Sequence, residues 1–197
     1  MHQRKASIPG IVITLLLLFS FLVASVPLLA ATKEQVEQQK ADIKNMANQT
    51  LERLYATQPS AKKAIKKAAG YAVFSNFGMK ILFAGGGSGK GLAVYNKTEQ
   101  STFMKLIEVQ AGLGMGVKKF RLIWVFEIQS DLDSFINSGW EFGGQATAAA
   151  QASGEGGALA GAMSIKPGVW LYQLTDDGLA LELTAKGTKY YKDDNLN

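Results

Sequence analysis

No cysteine occurs anywhere in the chain, and its one histidine is His2. Each absence removes chemistry. Without cysteine there is no disulfide, no thiolate nucleophile and no lipobox acylation site. From residue 32 onwards there is no imidazole, so Ser-His-Asp, Cys-His and zinc-histidine centres are excluded. Carboxylate pairs, a Ser-Lys dyad or a carboxylate metal site are the chemistry that is left. With no covalent staple, the core must hold itself. About 165 residues rich in Val, Ile, Leu and Phe are enough to do so.

Charge is missing from one long stretch. No charged residue stands between Ala6 and Thr32, and "IVITLLLLFSFLVASVPLLA" is almost wholly apolar. Arg4 and Lys5 precede the run; Pro27 and the small pair Ala30-Ala31 close it. This order predicts an export signal over residues 1–31, removed after Ala31. Leu28 and Leu29 stand where a small residue is preferred, and the run is long enough to cross a bilayer of about 30 Å. An uncleaved membrane anchor is therefore the alternative. Both readings place Lys33 onwards outside the cytoplasm, because the positive flank stays inside. The expected localisation is exported, periplasmic or secreted, with membrane association left open.

Apolar periodicity divides the remainder into a helical segment, residues 32–69, and a β-rich domain, residues 70–197. Thr32–Gln58 is expected to be a helix, with Ile43, Met46, Ala47, Leu51, Leu54 and Tyr55 at three- and four-residue steps. After Pro59, "SAKKAIKKAAG" predicts a short second helix capped by Ser60 and stopped by Gly70. Ala61, Ala64, Ile65 and Ala68 form its apolar side; Lys62, Lys63, Lys66 and Lys67 cover the rest. Strands are expected at 70–74, 81–84, 92–95, 103–117, 122–128, 143–151, 158–165, 169–174 and 179–184. One helix interrupts them at "SDLDSFINSG", with Ser130 and Asp133 spaced as a capping box and Gly139 as the stop. The last two strands form a hairpin through Asp176-Asp177-Gly178. The fold class that results is α+β, with N-terminal helices packed on a curved, mostly antiparallel sheet or small barrel.

Glycine-rich "FAGGGSGKGL", residues 83–92, raises the question of a phosphate loop. A P-loop needs Gly, four residues, then Gly-Lys-Ser/Thr, opening a helix. Here Ala84 takes the first glycine's place, Gly91 takes the hydroxyl's, and no helical stripe follows. The dinucleotide fingerprint fails as well, with Lys90 at its third glycine position. The stretch is expected to be a glycine-rich turn or bulge between strands. Two other small-residue stretches, "AGLGMGVKKF" and "GGQATAAAQASGEGGALAGAM", are read as strands. Their small faces either allow tight packing or form a narrow slot for a ligand chain.

Charge is unevenly spread. Residues 32–70 hold eight Lys/Arg against four acids, and residues 71–197 hold eleven against twelve. A basic helical front beside a neutral β-domain suggests an anionic surface as partner, or merely a solvated lysine face.

The stretches "AAGYAVFSNFGMKILFAGGGSGKGLAVY", "AGLGMGVKK", "INSGWEFGGQATAAAQ" and "DDGLALELTAKGTKYYKD" together resemble the SYLF lipid-binding domain, in its secreted bacterial branch. The likeness runs from about residue 45 to residue 192 and rests on order and spacing, not on one motif. It implies non-enzymatic binding of anionic lipid, phosphoinositides above all, with a basic amphipathic helix taking part. Lys62, Lys63, Lys66 and Lys67 stand in the matching place. The resemblance also makes the glycine-rich stretch a structural turn. Two departures are visible: "EQSTFMK" replaces the family's Trp- and Pro-bearing step, and no adaptor or zinc-finger module is present. An actin role is not carried over, and the ligand class widens to anionic phospholipid or a membrane surface. No cofactor, metal, nucleotide or nucleic acid is expected. Two other classes stay open. One is a hydrolase using carboxylates drawn from Glu108, Glu127, Asp131 and Glu141. The other is an envelope scaffold using an exposed edge strand from Ala146–Ala162.

Overall fold

A computed structural model of the chain describes residues 32–81, 84–111, 116–142, 159–176, 178–180 and 187–197. The chain divides into two units, Met1–Thr32 and Lys33–Asn197, and all the elements named here belong to the second. Helices α1 (Lys33–Thr57) and α2 (Pro59–Lys67) precede four long strands: β1 (Gly70–Ile81), β2 (Ala84–Tyr95), β3 (Ser101–Ala111) and β4 (Gly116–Phe126). Helix α3 (Gln129–Ser138) and strands β5 (Trp140–Phe142), β6 (Met163–Lys166), β7 (Val169–Thr175), β8 (Gly178–Ala180) and β9 (Thr188–Lys192) follow. The strands form one curled antiparallel sheet in the order β5-β9-β3-β2-β1-β4-β7-β6, with β8 also on β7. The α+β architecture is as expected.

Alternation along the strands sorts residues onto two faces. One face carries Ala72, Phe74, Leu106, Leu122, Trp124 and Phe126, and α3 covers it with Leu132, Phe135 and Ile136. Trp124, Phe126, Phe135, Trp140 and Tyr190 form an aromatic cluster there, with centroids 5.0–6.4 Å apart. The other face carries Val73, Leu92, Phe103, Ile123, Tyr172 and Leu174 beneath α1 and α2. The α1 stripe is the expected one: Ile43, Ala47, Leu51 and Leu54 are buried. Arg53 on its outer side donates to the carbonyls of Thr175 and Asp176, which ties α1 to the β7–β8 hairpin.

Several expectations are corrected. The glycine-rich stretch is neither turn nor bulge: from Ala84 onwards it is β2, in unbroken register with β1 from Ile81↔Ala84 to Gly70↔Tyr95. Gly89 and Gly91 sit where backbone and side chains approach closely. A Cβ at Gly91 would lie 2.1 Å from the Val73 carbonyl oxygen and 2.5 Å from the Phe74 ring. A Cβ at Gly89 would lie 2.3 Å from the Ser75 oxygen and 2.9 Å from Leu106 Cγ. The expected strand 103–117 is two strands running in opposite senses, and β4 starts at Gly116 rather than Leu122. Residues 159–161 form a turn, so β6 is shorter than expected. Ser60 caps nothing: α2 begins at Pro59, whose missing N–H costs nothing in a first turn, and Ser60 Oγ accepts from Gln58 Nε2 at 2.7 Å. Helix α2 ends at Lys67 because Ala68 turns extended, and Gly70 opens β1. Ser130 likewise lies inside α3, and no side-chain bond caps that helix. Gly139, at φ +66°, does end it. The expected strand 143–151, Gly112, Gly114 and the far half of β8's expected range lie outside the described residues. So does most of the proposed edge 146–162.

Candidate functional site

Helix α2 is short, and its placement decides what its lysines can do. Ala61, Ala64 and Ile65 are buried against the sheet. That leaves Lys62, Lys63, Lys66 and Lys67 side by side on the outer surface. None of the four pairs with a carboxylate among the described residues. Lys62 Nζ sits 5.9 Å from the Tyr55 ring centroid, near enough for a cation–π contact. Lys66 and Lys67 also occupy the last turn, where positive charge complements the helix dipole. The helix is amphipathic toward its own core: Ile65, its one large apolar residue, is 1% exposed. It therefore has no spare apolar side to insert into a bilayer, and contact through it would be electrostatic.

The end of α2 is fixed by Asn96, in the turn after β2. Its Nδ2 donates to the carbonyls of Ile65 at 2.6 Å and Ala68 at 2.9 Å. These are carbonyls that a helix terminus leaves without an intrahelical partner. Beside this clasp lies a groove of about 490 Å³, bordered by Lys44 and Asn48 of α1, Lys66 of α2, Tyr71, Asn96 and Glu99. Two lysines from different helices and one glutamate thus line the same groove. Burial first, and then Glu99, push the Tyr71 phenol above its ordinary value. The sequence analysis named Lys66 here but missed Lys44, Asn48 and Asn96. Lys44 lies one turn before Asn48 on α1, a spacing that marks a shared face.

Of the candidate catalytic carboxylates, the structure brings Glu127 and Asp131 together and leaves Glu108 and Glu141 apart on opposite faces of the sheet. Glu108 is 2% exposed on the α3 face of the sheet, where Asn76 Nδ2 donates to it. Glu141 is exposed on the opposite face and pairs with Lys189 at 2.9 Å. Glu127 and Asp131 both border Gly168, but Lys166 neutralises Asp131 and Glu127 is open to solvent. Among the described residues no cluster of three or more acids or histidines could hold a metal. No described helix is long and apolar enough to cross a membrane.

No family model matches the chain. Over 160 residues it is 34% identical to Beta cell expansion factor A of Aeromonas veronii, and the two are homologues. The match takes in 78% of this chain and 57% of that protein, so the chain spans a little over half the length of that relative.

Proposed function

We propose that the chain belongs to the SYLF lipid-binding family and acts outside the cytoplasm as a non-enzymatic protein that docks on anionic phospholipid surfaces. The observation that carries this reading is the row of four lysines on the outer side of α2 with no carboxylate partner among the described residues. The order of the strand motifs and the homology of most of the chain to a bacterial factor are consistent with it.

Helix α2 contacts the surface without entering it. Each lysine near an anionic surface contributes about 1 kcal/mol, so four give up to roughly 4 kcal/mol, or about a thousandfold in partitioning. The groove between Lys44 and Lys66 would receive a phosphate oxygen, with Glu99 limiting how many charges it accepts. This reading needs a negatively charged surface and not a phosphoinositide in particular.

The test is co-sedimentation with vesicles of phosphatidylglycerol and phosphatidylcholine. The variant carrying Lys62→Gln, Lys63→Gln, Lys66→Gln and Lys67→Gln should lose most of the charge-dependent partitioning and keep the wild-type melting temperature. Equal binding by variant and wild type would make the lysines a solvated face only.

A further inference from the structure

Strand register gathers a second set of cations that a linear count conceals. Ser75 lies opposite Arg121 on one side and Lys90 on the other, and Lys90 lies opposite Lys105. One strand-step pair further along, Lys119, Ser88, Ile107 and Lys189 share the next row of the same face. This is the face that α1 and α2 cover at its other end. Five cations therefore meet two carboxylates, Asp193 on Lys105 at 2.7 Å and Glu141 on Lys189 at 2.9 Å. Lys90, Lys119 and Arg121 have no carboxylate partner among the described residues; Arg121 donates instead to Ser75 Oγ.

Two features set this surface apart from an ordinary solvated one. Lys90 and Lys105 are direct cross-strand partners, a like-charge pairing that weakens a sheet. Ile107 lies in the row of Lys119 and Lys189, 44% exposed, and Val109 stands one row beyond it, opposite Gly86 and 67% exposed. They are two of only three exposed large hydrophobic residues among those described. A shallow, largely apolar groove of about 440 Å³ runs between Ser75, Ser88, Lys90, Ile107 and Tyr191. At about 4.8 Å per strand, the row from β4 to β9 is some 19 Å wide.

We infer that this sheet face is a second membrane contact, taking anionic phospholipid with Ile107 and Val109 seated among the headgroups and Lys90, Lys119 and Arg121 on the phosphates. The inference rests on the lipid reading of the lysine helix but assigns a different surface. The chemistry selects the occupant. Exposed aliphatic side chains beside a patch of cations match the boundary between acyl chains and phosphates. A single-stranded nucleic acid would be met by successive stacking aromatics, and among the described residues this groove is lined by one, Tyr191. A second copy of the chain would set cation against cation.

The missing cysteine makes the test clean, because one introduced thiol is unique. The chain with Val109→Cys, labelled with an environment-sensitive fluorophore, is mixed with phosphatidylglycerol–phosphatidylcholine vesicles. Emission should shift to the blue, and the same label at Ser130→Cys, on α3 across the sheet, should not respond. In parallel, Lys90→Gln, Lys119→Gln and Arg121→Gln together should weaken vesicle binding by about a hundredfold with α2 intact. If the wild type binds these vesicles but the Val109 label is silent and the triple variant binds normally, this inference fails and the helix reading stands. If nothing binds anionic vesicles, both fail. A label that responds equally to duplex DNA, or to protein concentration alone, overturns the choice of lipid.

Discussion

Replacing Gly91 with alanine adds one carbon and two hydrogens, yet the added Cβ would stand 2.1 Å from the carbonyl oxygen of Val73 and 2.5 Å from Cδ1 of Phe74. A looser site would let the ring turn, but Phe74 is 0% exposed and packs edge-on to Tyr190 at 5.0 Å and Phe135 at 6.1 Å. The carbonyl belongs to β1 and moves only with the sheet. Overpacking of this kind costs about 1–3 kcal/mol. For a chain of this size that lowers the melting temperature by roughly 3–10 °C. Gly86 supplies the control within the same stretch, since its added Cβ would meet only the Glu108 carbonyl oxygen at 3.5 Å. Thermal unfolding followed by circular dichroism should separate Gly91→Ala from Gly86→Ala by at least the lower figure. If the two variants melt together, the β1–β2 register is wrong and the glycines are there for some other reason.

Asn96→Ala removes both bonds to the end of α2 and should cost about 1–2 kcal/mol in chemical denaturation, while Asn96→Asp, which cannot donate them, should do no better. Burial pushes the phenols of Tyr55, Tyr95 and Tyr172 up to about 12, and for Tyr95 the hydroxyl donates to Asp133 at 2.6 Å as well. A raised phenol favours the folded state below its unfolded pKa of about 10, and that contribution is lost as pH climbs toward 12. Ultraviolet titration should therefore show tyrosinate appearing together with loss of ellipticity; full ionisation by pH 10.5 in a still folded chain would contradict the packing. Calorimetry with ATP and magnesium should give only heat of dilution, since β2 continues as strand where a P-loop would open a helix.

What the sequence revealed depended on how local the signal was. The α1 stripe and the start of the β7–β8 hairpin need only neighbours a few residues apart; the stripe stands as read, and Thr175 pairs with Gly178 where the hairpin begins. Glycine in a strand erases the apolar alternation by which strands are recognised, so β2 looked like a turn until its partners Phe74 and Leu106 explained the missing side chains. Alternation continues through "GLGMG", residues 112–116, and so hides that β3 and β4 are separate strands. The lysines of α2 were legible because alanines mark its buried side. The sheet-face cations were not, because residues 71–197 are nearly neutral in sum. Alternation within "KLIEV" sends Lys105 and Glu108 to opposite faces, which a net charge cannot register.

The central claim is preference for anionic lipid, and the direct measurement is partitioning of the wild-type chain between buffer and vesicles, anionic against purely zwitterionic, across a salt series. The account predicts binding to the anionic vesicles only, weakening steeply as the screening length falls from about 10 Å at 0.1 M toward about 3 Å at 1 M. Equal partitioning into both vesicle types, or anionic binding indifferent to salt, would contradict it.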